Sequence, residues 1–238
     1  MIRKTALTIV MLAVMCAADV RDSLRRSGLA VENTPQRLAA EFGGTISVYD
    51  DIFRAVAAEV GFDWRLIGAI AYHESRFNSD IVSRGGAVGL MQIMPVVCRH
   101  FDVDEAEIID PMTNVRLAGW LMAEIERSLR LPAGIPDEER MGIVLAGYNC
   151  GVGHVSDARR LARAAGENAD SWRVVVRYLE LKSLPEYYRR EEVRSGRFNG
   201  GRLTLAYVSD VMAKYRQYCR TVPDEPLQDG VITAEAMP

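Results

Sequence analysis

Residues 69–95 read AIAYHESRFNSDIVSRGGAVGLMQIMP, and the stretch places a carboxylate on what its spacing makes a buried helix face. Just before it, Asp63 suits a helix N-cap, and Trp64, Ile67, Ile70 and Ala71 recur at helical spacing. That pattern predicts an amphipathic helix with the apolar stripe turned to the core. Glu74 continues the stripe, since it follows Ala71, Ile70 and Ile67 at helical intervals. Arg76-Phe77-Asn78-Ser79-Asp80 then breaks the pattern with residues that favour turns, so Glu74 sits near the helix C-terminus. Burial disfavours the anion, and so does the partial negative charge at a helix C-terminus. A carboxylic acid that keeps its proton near neutral pH is what a general acid in glycoside cleavage requires.

The residues after Glu74 suit the same chemistry. Gly85, Gly86 and Gly89 remove side chains over a short span and let the backbone bend sharply or approach a ligand. Leu90, Met91, Ile93 and Met94 form an apolar run in which Gln92 is the polar member, and Pro95 ends it. An amide beside an apolar wall matches a sugar, which offers hydroxyls and an acetamido group to bond and a ring face to cover. Singly these features are commonplace: a glutamate at a helix end is usually a surface residue, and a glycine cluster is usually a turn.

Together they are specific. His73-Glu74-Ser75-x-Phe77-Asn78, then Ser83-x-Gly85-Gly86-Ala87-x-Gly89-Leu90-Met91-Gln92-Ile93-Met94-Pro95, and later Ala146-Gly147-Tyr148-Asn149-x-Gly151-x-Gly153 resemble the family 1 lytic transglycosylases. These goose-lysozyme-like enzymes cut the glycan strands of bacterial peptidoglycan. The resemblance runs from about Tyr49 to Tyr218, with the three motifs in the family's order. It implies a mainly α, lysozyme-like domain around a central glutamate-bearing helix. It also implies one catalytic residue, Glu74, with Ser75, Met91, Gln92, Tyr148, Asn149 and, on a later helix, Tyr207 binding the substrate. By resemblance Glu74 protonates the glycosidic oxygen between N-acetylmuramic acid and N-acetylglucosamine. The same residue then deprotonates the muramoyl C6 hydroxyl, which closes a 1,6-anhydro ring, so no cofactor is required. A glycosidase normally pairs its acid with a second carboxylate, and here Asp80 and Asp102 are the next acids after Glu74 in sequence. A hydrolytic muramidase on the same fold, or a binding protein without activity, is the alternative.

From its beginning, the chain opens on a basic Met1-Ile2-Arg3-Lys4 and an apolar Ala6 to Met15 interrupted by Thr8. About ten apolar residues have the proportions of a signal-peptide core and are short for a bilayer span. Residues 1–16 are therefore expected to be an export signal that directs the protein to the periplasm. Cys16 would be the acceptor of a lipid anchor to the outer membrane, with ordinary cleavage after Ala17 or Ala18 as the other outcome. Residues 17–47 read as a tether, 48–220 as the catalytic domain and 221–238 as a disordered tail. Some family members carry a solute-binding module as well, for which these 238 residues leave no room.

The chain has 29 Lys and Arg against 32 Asp and Glu, and losing Arg3 and Lys4 with the leader takes the net charge from −3 to −5. A basic surface for nucleic acid is not indicated, and a monomer is expected. Without Cys16, the three cysteines Cys98, Cys150 and Cys219 allow at most one internal disulfide, and their pairing stays open. No metal site is expected. His73-Glu74 begins like a zinc-protease HExxH, but Phe77 stands where the second histidine belongs. His100 and His154 have no ligand neighbours at suitable spacing, and Arg84-Gly85-Gly86 lacks the phosphate-loop Gly-Lys-Ser/Thr.

Helical patterns account for most of the rest. Asp110-Pro111 predicts a helix start, and the helix runs to about Leu129 with Val115, Ala118, Leu121, Met122 and Ile125 inward. Another begins near Pro136 and reaches Tyr148-Asn149, where Gly151 and Gly153 end it. Shorter helices are predicted from about Val155 to Ala165 and Ser171 to Leu181, and a last one from about Leu203 to Cys219. Arg159, Arg160 and Arg163 read as a solvated helix face. The one candidate for strand pairing is a short hairpin at Arg84 to Val88.

Overall fold

The buried carboxylate of Asp50 starts the fold. It accepts hydrogen bonds from the N–H groups of Ile46 (2.7 Å) and Ser47 (2.8 Å) and from the Ser47 hydroxyl (3.0 Å), and so turns the chain into helix α1, Asp50–Val60. The computed structural model describes residues 44–222. The export signal, Cys16, most of the tether and nearly all of the tail fall outside the described residues.

Helix α2, Trp64–Ser75, begins as its sequence predicts, with the Asp63 carboxylate accepting from Arg65 N–H at 2.8 Å. It is not amphipathic in the expected sense. Every residue from Trp64 to Ala71 is buried, because α1 lies along one side and a long C-terminal helix, α9 (Gly201–Thr221), along another. A helix enclosed from several sides needs no polar face. α2 ends in two consecutive non-glycine residues of left-handed backbone, Arg76 (φ 56°) and Phe77 (φ 64°).

Residues 81–93 form a compact double turn instead of the predicted hairpin at 84–88. Val88 makes an isolated antiparallel bridge to Val82 and another to Ile93. A short helix α3 (Pro95–His100) and a 3₁₀ turn (Glu105–Ile109) follow. α4, Pro111–Leu129, is capped by Asp110, which accepts from Thr113 N–H at 2.8 Å. Its buried face includes Leu117, while Leu121 is only partly buried.

The second enclosed helix is α5, Asp137–Cys150, buried throughout from Gly142 to Cys150 between α4, α9 and α6. α6, Val152–Ala164, starts directly after Gly151, so Gly153 lies inside a helix and not in the predicted break. α7 (Trp172–Leu181) and the single turn α8 (Pro185–Tyr188) lead to α9, which extends past both predicted ends. Val222 is buried, and its carbonyl accepts from Arg65 at 3.1 Å.

The solvated face expected at Arg159 is corrected. Arg159 is 3 % exposed and donates to the Ala169 carbonyl, the Leu129 carbonyl at the end of α4, and the Asp170 carboxylate. Its neighbour Arg160 bonds Asp157 and the Glu192 carbonyl, while Arg163 is exposed. Cys98, Cys150 and Cys219 are free thiols.

Candidate active site

Glu74, one residue from the end of α2, is 8 % exposed. Desolvation raises its pKa from 4.5 to about 7, and the Tyr207 hydroxyl pulls the other way. No carboxylate is among the causes, and the next two acids along the chain, Asp80 and Asp102, are both exposed. The acid is therefore held neutral by burial and not by repulsion from a second acid.

Two tyrosines share its surroundings. Tyr148 from α5 and Tyr207 from α9 are both buried, and both resist ionisation because of burial first and then the nearby Glu74 charge. The Tyr148 hydroxyl donates to the Met91 carbonyl at 2.9 Å, which ties α5 to the double turn. The Tyr207 hydroxyl closes no hydrogen bond of ordinary geometry among the described residues, although it lies near enough to favour the Glu74 anion. Its ring meets the His73 ring edge-on at 4.7 Å between centroids, and His73 Nε2 lies 3.8 Å from the Asp210 carboxylate.

Gln92 sits at φ 50°, so three non-glycine residues near Glu74 hold left-handed backbone. Such conformations cost free energy and persist where surrounding structure dictates them. The Gln92 amide nitrogen donates to the carbonyls of Gly89 (3.1 Å) and Ile81 (3.3 Å). Its carbonyl oxygen is buried with no hydrogen-bond partner among the described residues.

The other predicted residues all make bonds within the protein. Ser75 is 1 % exposed and donates back to the Ala71 carbonyl at 3.1 Å, so its hydroxyl faces its own helix. Met91 is fully buried and contributes both backbone groups, its N–H donating to Asn114 at 2.8 Å. Asn149 accepts from the Thr204 hydroxyl at 2.9 Å, which joins α5 to α9.

Asn114 escaped the sequence reading. Fully buried on α4, it also donates to the carbonyls of Val88 (2.9 Å) and Ile108 (2.8 Å) and so pins the double turn that carries Gln92. Gly89, at φ 77°, leaves the space for it: a Cβ there would lie 2.7 Å from Asn114 Nδ2. One signal was present, for Asn114 precedes Leu117 and Ala118 by three and four residues and so shares their inward face.

A family model described as the transglycosylase SLT domain matches residues 51–171, which contain Glu74, Gln92 and Tyr148. The chain belongs to the SLT-domain transglycosylase family. Among its relatives is a membrane-bound lytic murein transglycosylase F from Alcanivorax borkumensis, 34 % identical over 171 residues, or 71 % of this chain and 35 % of that protein. The namesake from Alteromonas mediterranea is 34 % identical over 185 residues, or 78 % of this chain and 38 % of that protein. The chain thus spans little more than a third of the length of these curated relatives. Among solved structures, the 70 kDa soluble lytic transglycosylase of Escherichia coli matches with TM-score 0.50 and 22 % identity over 77 % of this chain and 26 % of its own. Lytic transglycosylase Slt from Pseudomonas aeruginosa gives TM-score 0.50 and 21 % identity over 74 % of this chain and 25 % of its own. These likenesses establish the mainly helical, lysozyme-like fold of the SLT domain.

Proposed function

We propose that the protein is a peptidoglycan lytic transglycosylase that cleaves the β-1,4 bond between N-acetylmuramic acid and N-acetylglucosamine and leaves 1,6-anhydromuramoyl ends. The observation that carries this reading is a single carboxyl, Glu74, whose pKa burial lifts to about 7 with no second carboxylate acting on it. A neutral acid gives its proton to the glycosidic oxygen as the C1–O bond breaks, and N-acetylglucosamine leaves with a free 4-hydroxyl. The resulting carboxylate takes the proton of the muramoyl C6 hydroxyl, whose oxygen bonds to C1. Glu74 ends protonated, and no water is consumed.

In this reading Gln92, Tyr148 and Asn149 position the sugar, with Tyr207 beside the acid, and Ser75 and Met91 support them through the backbone. The nucleophile belongs to the substrate, so one acid suffices where a retaining hydrolase needs a second carboxylate about 5–5.5 Å away. Export to the periplasm, with Cys16 as a lipid-anchor site, accords with the membrane-bound relatives. No helix among the described residues is long and apolar enough to cross a membrane.

Digestion of purified sacculi followed by mass spectrometry tests the activity. Products lighter than ordinary muropeptides by one water are expected, and they should vanish with Glu74→Gln. Products of ordinary mass would replace this reading with hydrolysis, and no release at all would remove the enzyme.

A further inference from the structure

Close to Cys150, the residue after Asn149, lies an ion pair that the proposed chemistry does not use. Lys182, at the end of α7, and Asp157, on α6, both have fully buried side chains, with Nζ 2.6 Å from the Asp157 carboxylate and 2.9 Å from His154 Nδ1. A buried pair of this kind contributes little stability over an apolar pair of the same volume, because desolving two charges offsets their attraction. What distinguishes this one is where its remaining valences go. Asp157 also accepts the N–H groups of Arg194 and Ser195, each at 2.9 Å, and the Arg160 guanidinium. The carboxylate thereby fastens the loop between α8 and α9 to the interior.

The next residues carry the constraint into α9. Phe198 stacks on the His154 ring at 4.5 Å, and its N–H donates to the Lys182 carbonyl at 3.3 Å. Gly201 then opens α9 directly against α7, where a Cβ would lie 2.7 Å from the Glu180 backbone. Within one turn Thr204, fully buried, bonds Asn149. Less than one turn further is Tyr207, the side chain beside Glu74. At about 1.5 Å per residue, Tyr207 is roughly 9 Å along the helix from Gly201, so a displaced helix start moves its hydroxyl by a similar amount.

We propose that the Asp157–Lys182 pair is a positioning device for the catalytic acid: it fixes the start of α9 and through that helix sets the Tyr207 hydroxyl against Glu74. This inference rests on the proposed function. The charged and titratable groups around the pair are His154, Arg160 and Cys150, and those around Glu74 are Tyr148, Tyr207 and His73 with its partner Asp210.

The test is the pH dependence of muropeptide release by the full chain, measured for Asp157→Asn, Lys182→Met, Tyr207→Phe and the double variants with Tyr207→Phe. Circular dichroism and thermal midpoints identify the variants that fold. Tyr207 favours the Glu74 anion, so withdrawing its hydroxyl from beside the buried carboxyl should move the alkaline limb of activity upward, by about one pH unit. Each single variant should show that shift, with turnover at pH 6 lowered roughly tenfold by misplacement. Combination with Tyr207→Phe should add no further shift. Gly201→Ala changes no charge, displaces the same helix start, and should reproduce the shift even where the charge variants do not fold.

A folded Lys182→Met or Gly201→Ala with an unmoved limb and only a lower thermal midpoint would reduce the pair to scaffolding and overturn the inference. Shifts that add to that of Tyr207→Phe would overturn it as well, since the pair would then act on Glu74 by another route. If the wild type releases no anhydromuropeptides, it is the proposed function that fails instead.

Discussion

Replacing Glu74 with glutamine should stabilise the protein at pH 8 far more than at pH 4.5. In the folded chain the carboxyl keeps its proton up to about pH 7, whereas its ordinary value, and so that of the unfolded chain, is 4.5. Between those values the folded state binds the extra proton, so stability is fully present below pH 4.5 and is lost as pH rises through 7. A displacement of about 2.5 units at 1.36 kcal/mol each amounts to about 3 kcal/mol above pH 7. Glutamine has no proton to lose and escapes that penalty. For a domain of this size each kcal/mol moves the thermal midpoint by about 2–4 °C, so the gap between variant and wild type should widen by about 6–12 °C between the two pH values. Thermal melts of both proteins at each pH, in the same salt, give the answer, and taking the difference cancels every other titrating group. Chemistry should meanwhile fall by at least roughly 10²–10⁴-fold. A gap that does not change with pH would mean that the carboxyl is not held neutral, and the case for Glu74 as a general acid would go with it.

Three further outcomes are expected. Asn114→Ala strands the Met91 N–H and the Val88 and Ile108 carbonyls and should cost about 3 kcal/mol or more, read by urea denaturation, with turnover lost at temperatures where the chain is still folded. Tyr148→Phe removes one hydrogen bond to the Met91 carbonyl and should cost only about 1 kcal/mol in the same assay, while turnover of sacculi falls more than about tenfold. Burial, with the Lys182 charge next, holds His154 at about 4 against its ordinary 6.5, so its contribution to stability is complete above pH 6.5 and is lost as pH falls through 4. Nuclear magnetic resonance of the imidazole should find it neutral throughout the range in which Glu74 titrates.

The fold was legible where local chemistry decides it. Asp63 and Asp110 cap the helices that their sequences announce, Ser171 precedes the start of α7, and the apolar spacing around Ile70 places Glu74 on an inward face. Three short elements, α3, the 3₁₀ turn and α8, were missed because four to six residues are too few to show a helical period. The break expected at Gly153 failed for another reason. Glycine lowers helix propensity by about 1 kcal/mol, and burial of Val152, His154 and Val155 outweighs that.

Periodicity reveals burial only when the buried side chains are apolar, and at Arg159, Asp157 and Lys182 they are charged. A charged residue on an inward face looks in sequence like one on an outward face, because its partners lie far along the chain. The bonds that assemble this site have that character. Met91 to Asn114 spans 23 residues, Lys182 to Asp157 spans 25, Asn149 to Thr204 spans 55 and Met91 to Tyr148 spans 57. The motifs around Glu74, Gln92 and Tyr148 therefore name the groups proposed to meet the sugar, while residues outside those motifs hold them in place. A chain could keep all three motifs intact and still lose the site through a change at Asn114 or Thr204. Both residues are fully buried and hydrogen-bonded, so such a change would register as lost stability together with lost turnover, whereas Glu74→Gln should separate the two.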